Sequence, residues 1–226
     1  MKKSALTKDG DKKNENTAEL RLFSECIKAT FHAHFVRGGQ PGIPRALLDE
    51  VSKSYPPFND RTIDEFLPKP KERLTVDERG TCLHLRPTND IPEGLPILKI
   101  HYDFSKPIAE VRIRMALFWR WKDGDIEKTV AFGYRFETPE GPGKHNHHHV
   151  QPIASMVKGQ APLPACPSWL RGTLPTFPLA ASTPFELLAC TLSSLYGPPG
   201  LLSVRDRASK DLQNALTEFA RNKLKM

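Results

Sequence analysis

Val111-Arg112-Ile113-Arg114-Met115-Ala116-Leu117-Phe118-Trp119-Arg120-Trp121 alternates with a period of two, and that alternation decides the fold. Side chains of a strand point to opposite faces in turn, so Val111, Ile113, Met115, Leu117, Trp119 and Trp121 share one apolar face. Arg112, Arg114 and Arg120 share the other. Downstream, Val130, Phe132, Tyr134 and Phe136 alternate with Ala131, Gly133, Arg135 and Glu137, and Lys122-Asp123-Gly124-Asp125 supplies a turn between the two runs. Upstream, Leu98, Ile100, Tyr102 and Phe104 alternate with Lys99, His101 and Asp103. Three such runs on short connections predict an antiparallel meander with one face on a core. Thr81 to Arg86 adds an edge strand.

Helices flank this sheet in the sequence. Leu20, Phe23, Ile27 and Phe31 recur at helical spacing after Thr17, a capping residue, and Gly38-Gly39 stops that helix beyond His32 and His34. Shorter helical segments are predicted over Pro44 to Ser52 and Thr62 to Phe66. Thr183-Pro184 opens an apolar helix that runs to Tyr196 and stops at Gly197. Ser203 is the expected cap of a last helix striped by Val204, Ala208, Leu212, Ala215, Leu216 and Phe219. The fold class is therefore α+β, a four- to five-stranded antiparallel meander packed against N-terminal and C-terminal helices.

The expected organisation is a disordered basic leader over 1–16 and one α+β domain over 17–226. Within that domain fall N-terminal helices (17–68), the antiparallel sheet (81–151), a Pro-rich crossing (152–183) and C-terminal helices (184–226). With 226 residues, one sizeable core is expected. The 21 prolines exceed an average share of about 5%, and many fall between Pro139 and Pro199, which predicts an extended, turn-rich stretch.

The net charge of +7 favours an acidic partner, nucleic acid included. Cys26, Cys82, Cys166 and Cys190 form no CxxC pair and no secretory signal opens the chain, so reduced thiols in a cytoplasmic protein are expected. No run approaches the roughly 18 apolar residues of a membrane helix, and no membrane partner is expected. The sequence has no GxxxxGK[ST] loop, no GxGxxG, no GxSxG and no HExxH. Nothing in it points to nucleotide hydrolysis, a dinucleotide cofactor or a serine hydrolase.

Three functional readings follow. The leading one is a non-enzymatic accessory subunit of a protein assembly, contacting nucleic acid or an acidic partner through the basic sheet face. Lys99, Arg112, Arg114 and Arg120 would meet phosphates there, and Phe118 would stack a base. The second is a metal-dependent hydrolase or nuclease. In an extended segment His145, His147 and His149 point to one side, roughly 7 Å apart, where imidazoles converge on zinc or manganese, and His147 and His149 become catalytic candidates.

The third reading rests on a resemblance. An N-terminal helix, a meander, a segment with His and Asn, Cys166, Trp169 and two closing helices stand in an order similar to the ubiquitin-conjugating fold. Tyr134-Arg135-Phe136 with Pro139 resembles that family's Tyr-Pro-Phe region. The resemblance implies a thioester carrier at Cys166. The family's His-Pro-Asn tripeptide is absent.

Overall fold

A computed structural model describes residues 5–34, 79–88, 94–104, 109–139, 146–154 and 176–225. Its elements are helix α1 (Ala5–His34), strands β1 (Arg79–His84), β2 (Leu95–Asp103), β3 (Glu110–Asp123), β4 (Ile126–Glu137), β5 (His149–Pro152) and β6 (Phe177–Pro178), and helices α2 (Pro184–Arg205) and α3 (Lys210–Phe219). A π-helical turn, Ala220–Leu224, extends α3. The strands pair in chain order, β1-β2-β3-β4-β5-β6, and every pairing is antiparallel. The expected α+β meander is what forms, with a two-residue sixth strand beyond the expected four or five.

Register explains which residues meet the helices. Leu83 pairs with Leu98, Leu98 with Met115, and Met115 with Tyr134; one row on, Ile100 pairs with Ile113 and Ile113 with Phe136. These side chains form one face of the sheet, and Phe23, Ile27 and Phe31 of α1 join them in the core with Leu188, Leu192, Leu212 and Leu216 of α2 and α3. Phe23 meets Tyr102 edge-on at 5.5 Å and Phe104 at 5.7 Å, the ring geometry that aromatic quadrupoles favour. Gly124 holds φ at 61° between the paired Asp123 and Ile126. Positive φ at that place in a two-residue hairpin loop suits glycine.

Helix ends differ from expectation in instructive ways. The first helix starts at Ala5, ahead of Thr17 and inside the stretch read as a leader. Thr183 does cap α2: its hydroxyl accepts from Glu186 N at 3.2 Å, and Glu186 Oε2 accepts from Ser182 N at 2.6 Å. That reciprocal pair satisfies donors a helix start leaves open. Gly197, at φ 65°, kinks α2 without ending it, and Pro198 and Pro199 open its second half. Proline is tolerated there because a first helical turn needs no internal N–H partner. Ser209, not Ser203, therefore caps α3, accepting from Leu212 N.

The second helix has the length and apolar character of a membrane-crossing segment by composition. It nevertheless buries Phe185, Leu187, Leu188, Leu192 and Leu195 in the core, and α1 is tied to its first turn by Glu19, whose Oε1 accepts from Phe185 N at 2.6 Å. Burial raises the Glu19 carboxyl above the usual range, against the opposing Phe185 N–H. The expected helical segments over 44–52 and 62–66, most of the Pro-rich crossing, Cys166 and His145 lie outside the described residues.

Candidate functional site

The sheet face turned away from the helices carries two transverse polar rows. His101 pairs with Arg112, Arg112 with Glu137, and Glu137 with His149, so four strands contribute one residue each. The next row runs Lys99, Arg114, Arg135, Gln151. A period of two puts both rows on one side, because each member sits an even number of residues from its neighbour along the strand.

Glu137 is the hub. Only 2% of it is exposed, and its carboxylate meets Arg135 Nε at 2.8 Å, Arg112 Nε at 3.5 Å and His149 Nε2 at 3.4 Å. A buried carboxylate is costly unless cations and hydrogen bonds compensate it, and these three groups do so. Arg112 also pairs with Glu110. Gln151, with its amide oxygen turned toward Arg135, accepts from Arg135 Nε at 3.2 Å. His149 is fully buried, and its Nδ1 donates to the His147 carbonyl at 3.1 Å. Its Nε2 then faces Glu137 Oε2 at 3.4 Å.

Lys99, Arg112 and Arg114 fall on one face, as expected from alternation, and part of that face is buried. Lys99 is 5% exposed and Phe118 is fully buried. A buried ring presents no stacking surface, so Phe118 takes no base. Arg112 is exposed and Arg114 half-buried, while the side chain of Arg120 lies outside the described set. On this face Arg112 and Arg135 are ion-paired. Glu137 was read only as an alternating strand residue; the signal available was its position opposite Arg112 once the β3–β4 turn is placed at Gly124.

The described histidines divide between the two sides. His147 is exposed and hydrogen-bonded with Asn146 Oδ1 at 3.2 Å, its ring meets that of His149 edge-on at 6.0 Å, and His148 alternates to the opposite side. Glu186 of α2 acts electrostatically on His148, and burial pushes the imidazole below its usual range against that pull. Among the described residues no three His, Cys, Asp or Glu side chains converge on a metal position. His145, the third member of the expected zinc or manganese set with His147 and His149, lies outside the described residues.

Two cysteine side chains, Cys26 and Cys190, are among the described residues. Burial pushes Cys26 up to about 12 and Cys190 up to about 11, the latter aided by Glu186. Both are free cysteines.

Comparison with known proteins adds a chemical class. The chain is 27% identical over 112 residues to an adenylyl-sulfate kinase of Penicillium chrysogenum, covering 49% of this chain and 51% of that one. It is 28% identical over 112 residues to an adenylyl-sulfate kinase of Emericella nidulans, covering 49% and 52%. The match thus spans about half the length of these curated relatives. No family model and no solved structure matches. The relatives are enzymes, and this overturns the expectation of a non-enzymatic accessory subunit.

Proposed function

We propose that the protein is an enzyme of the nucleotide-kinase class, binding an anionic adenine nucleotide such as adenylyl sulfate on the polar sheet face. Two lines support the reading: the partial likeness to adenylyl-sulfate kinases and the disposition of Arg112, Arg114 and Arg135.

The observation that carries the assignment to this face is that Arg114 and Arg135 are direct partners across β3 and β4. That pairing sets two guanidiniums side by side on one face, where an anion can bridge them. Guanidinium groups suit this task because their fixed fork matches phosphate and sulfate oxygens two at a time. Glu137, Gln151 and His149 are positioning residues here. Glu137 holds Arg112 and Arg135 through Nε, while Glu110 meets Arg112 Nη2 and Gln151 meets Arg135 Nη2, so both guanidinium planes are fixed in place. The sequence has no GxxxxGK[ST] loop for a triphosphate, so the role assigned to this face is to hold the acceptor.

Calorimetric titration of the full chain with adenylyl sulfate, alongside a coupled assay for ADP release from magnesium ATP, tests the reading. Saturable binding that is lost in Arg114→Gln/Arg135→Gln is the expected result. Absence of both binding and turnover overturns it.

A further inference from the structure

A second, independent site lies between the two halves of the C-terminal helical pair. Beyond the kink, Pro198, Leu201, Leu202 and Arg205 recur at helical spacing and line a cavity of about 220 Å³; Leu216, Thr217, Ala220 and Arg221 line its other wall. Residues at i, i+3, i+4 and i+7 share a helix face, so the cavity is a groove between two facing stripes. Its floor is apolar, with Leu201 and Leu216 each 2% exposed. Its polar lining is two arginines and a threonine, and no acidic residue stands among the described residues that line it.

Both walls depend on irregular backbone. The Gly197 kink restarts α2 with Pro198 on the cavity side, and the π-helical turn Ala220–Leu224 carries Ala220 and Arg221. A single π turn inside a helical stretch recurs at functional sites. Arg205 meets Asp206 at 3.4 Å with side chains 38% and 67% exposed. A pair so solvated contributes little and yields readily to a better anion.

We propose that this groove binds a small aliphatic carboxylate, its chain on Leu201, Leu202, Leu216 and Ala220 and its acid group on Arg205 and Arg221. Size and charge select that class together. The volume falls below the roughly 300–1,000 Å³ of pockets that take drug-sized ligands, so the occupant has a short chain. The apolar floor excludes a bare inorganic anion, and two guanidiniums on a rim select a carboxylate over a neutral chain of equal length. This site shares no residue with the polar sheet face.

Octanoate is the probe, with octan-1-ol as its uncharged counterpart, in a titration of the full chain followed by amide chemical shifts. The expected result is saturable octanoate binding with shifts on α2 beyond Gly197 and on α3. Octan-1-ol and the Arg205→Gln/Arg221→Gln variant should each bind at least about tenfold more weakly. Leu202→Trp, which fills the half-exposed wall without touching the buried floor, should abolish binding while the circular dichroism spectrum is retained. Failure of octanoate to saturate, equal binding of the alcohol, or shifts confined elsewhere overturns the assignment. None of these results bears on adenylyl sulfate binding, which keeps the two sites experimentally separate.

Discussion

The two faces of one sheet differ in how burial is tolerated. On the helix side, Val111, Ile113 and Phe136 are buried against α1 and α2 by dispersion and loss of water contact alone. On the other side, Lys99, Asp103, Glu137 and His149 are also buried, yet each is a group that burial penalises. The same strands thus carry a face that needs only shape and a face that needs paired charges. Non-directional burial tolerates rearrangement; the charge network does not, because removing one member leaves another uncompensated.

The sharpest way to break the helix-side face is Phe23→Ala. That ring is fully buried between Tyr102 and Phe104, and chemical denaturation should show a loss of about 3–5 kcal/mol. On the polar side the largest effect is expected from Glu137→Ala, about 2–3 kcal/mol, below the range for fully buried pairs because Arg112 and Arg135 keep some water contact. Glu137→Gln should recover part of the loss by retaining an acceptor for Arg135. Equal losses in Glu137→Ala and Glu137→Gln would mean that the carboxylate charge, not shape or a retained acceptor, sets the behaviour of that face.

Gly133→Ala probes how closely the polar face is covered. An added Cβ would meet the Met115 carbonyl oxygen at 2.8 Å and Ile153 Cγ1 at 3.0 Å. Urea midpoints should report a loss of about 1–3 kcal/mol.

A smaller effect sharpens the comparison from the helix side, where two imidazoles are buried. His34 stacks on Tyr196 at 4.1 Å and faces the Gly200 carbonyl at 3.2 Å. Burial lowers its affinity for a proton, opposed by that carbonyl and reinforced by Arg86; His148 is lowered for the same first reason. The unfolded chain therefore binds protons that the folded chain refuses as pH falls through the ordinary imidazole value of 6.5. Stability is full above that value and declines below it, toward each lowered folded value. Urea midpoints measured across this range should fall in the wild type and fall less steeply in His34→Gln. An unchanged slope would exclude His34 as a source of acid sensitivity.

The smallest expected signal is chemical. Cys26 and Cys190, raised to about 12 and about 11, should be alkylated slowly in the folded protein and readily in denaturant. Fast labelling of either thiol in the native state would show that its segment opens.

The meander was legible because a period of two over β2, β3 and β4 has one solution when one face is apolar. Thr183-Pro184 was legible because capping is local chemistry. Ser203 misled because a serine before an apolar stripe reads as a cap wherever it stands, whereas the Gly197 kink lets α2 run on through it. The likeness to adenylyl-sulfate kinases was not legible at all, because no short motif carries it and it is spread thinly over 112 residues.

Strand periodicity, turn glycine and helix caps lie within the reach of near neighbours in the chain, so the amino-acid order alone determined the meander and the start of α2. The ion-paired hub could not be read that way. Arg112, Glu137 and His149 come from three strands, and only pairing register brings them within contact. Tertiary structure likewise decided that Phe118, Lys99 and His149 are buried. Alternation assigns a side chain to a face, but what that face meets depends on the rest of the fold.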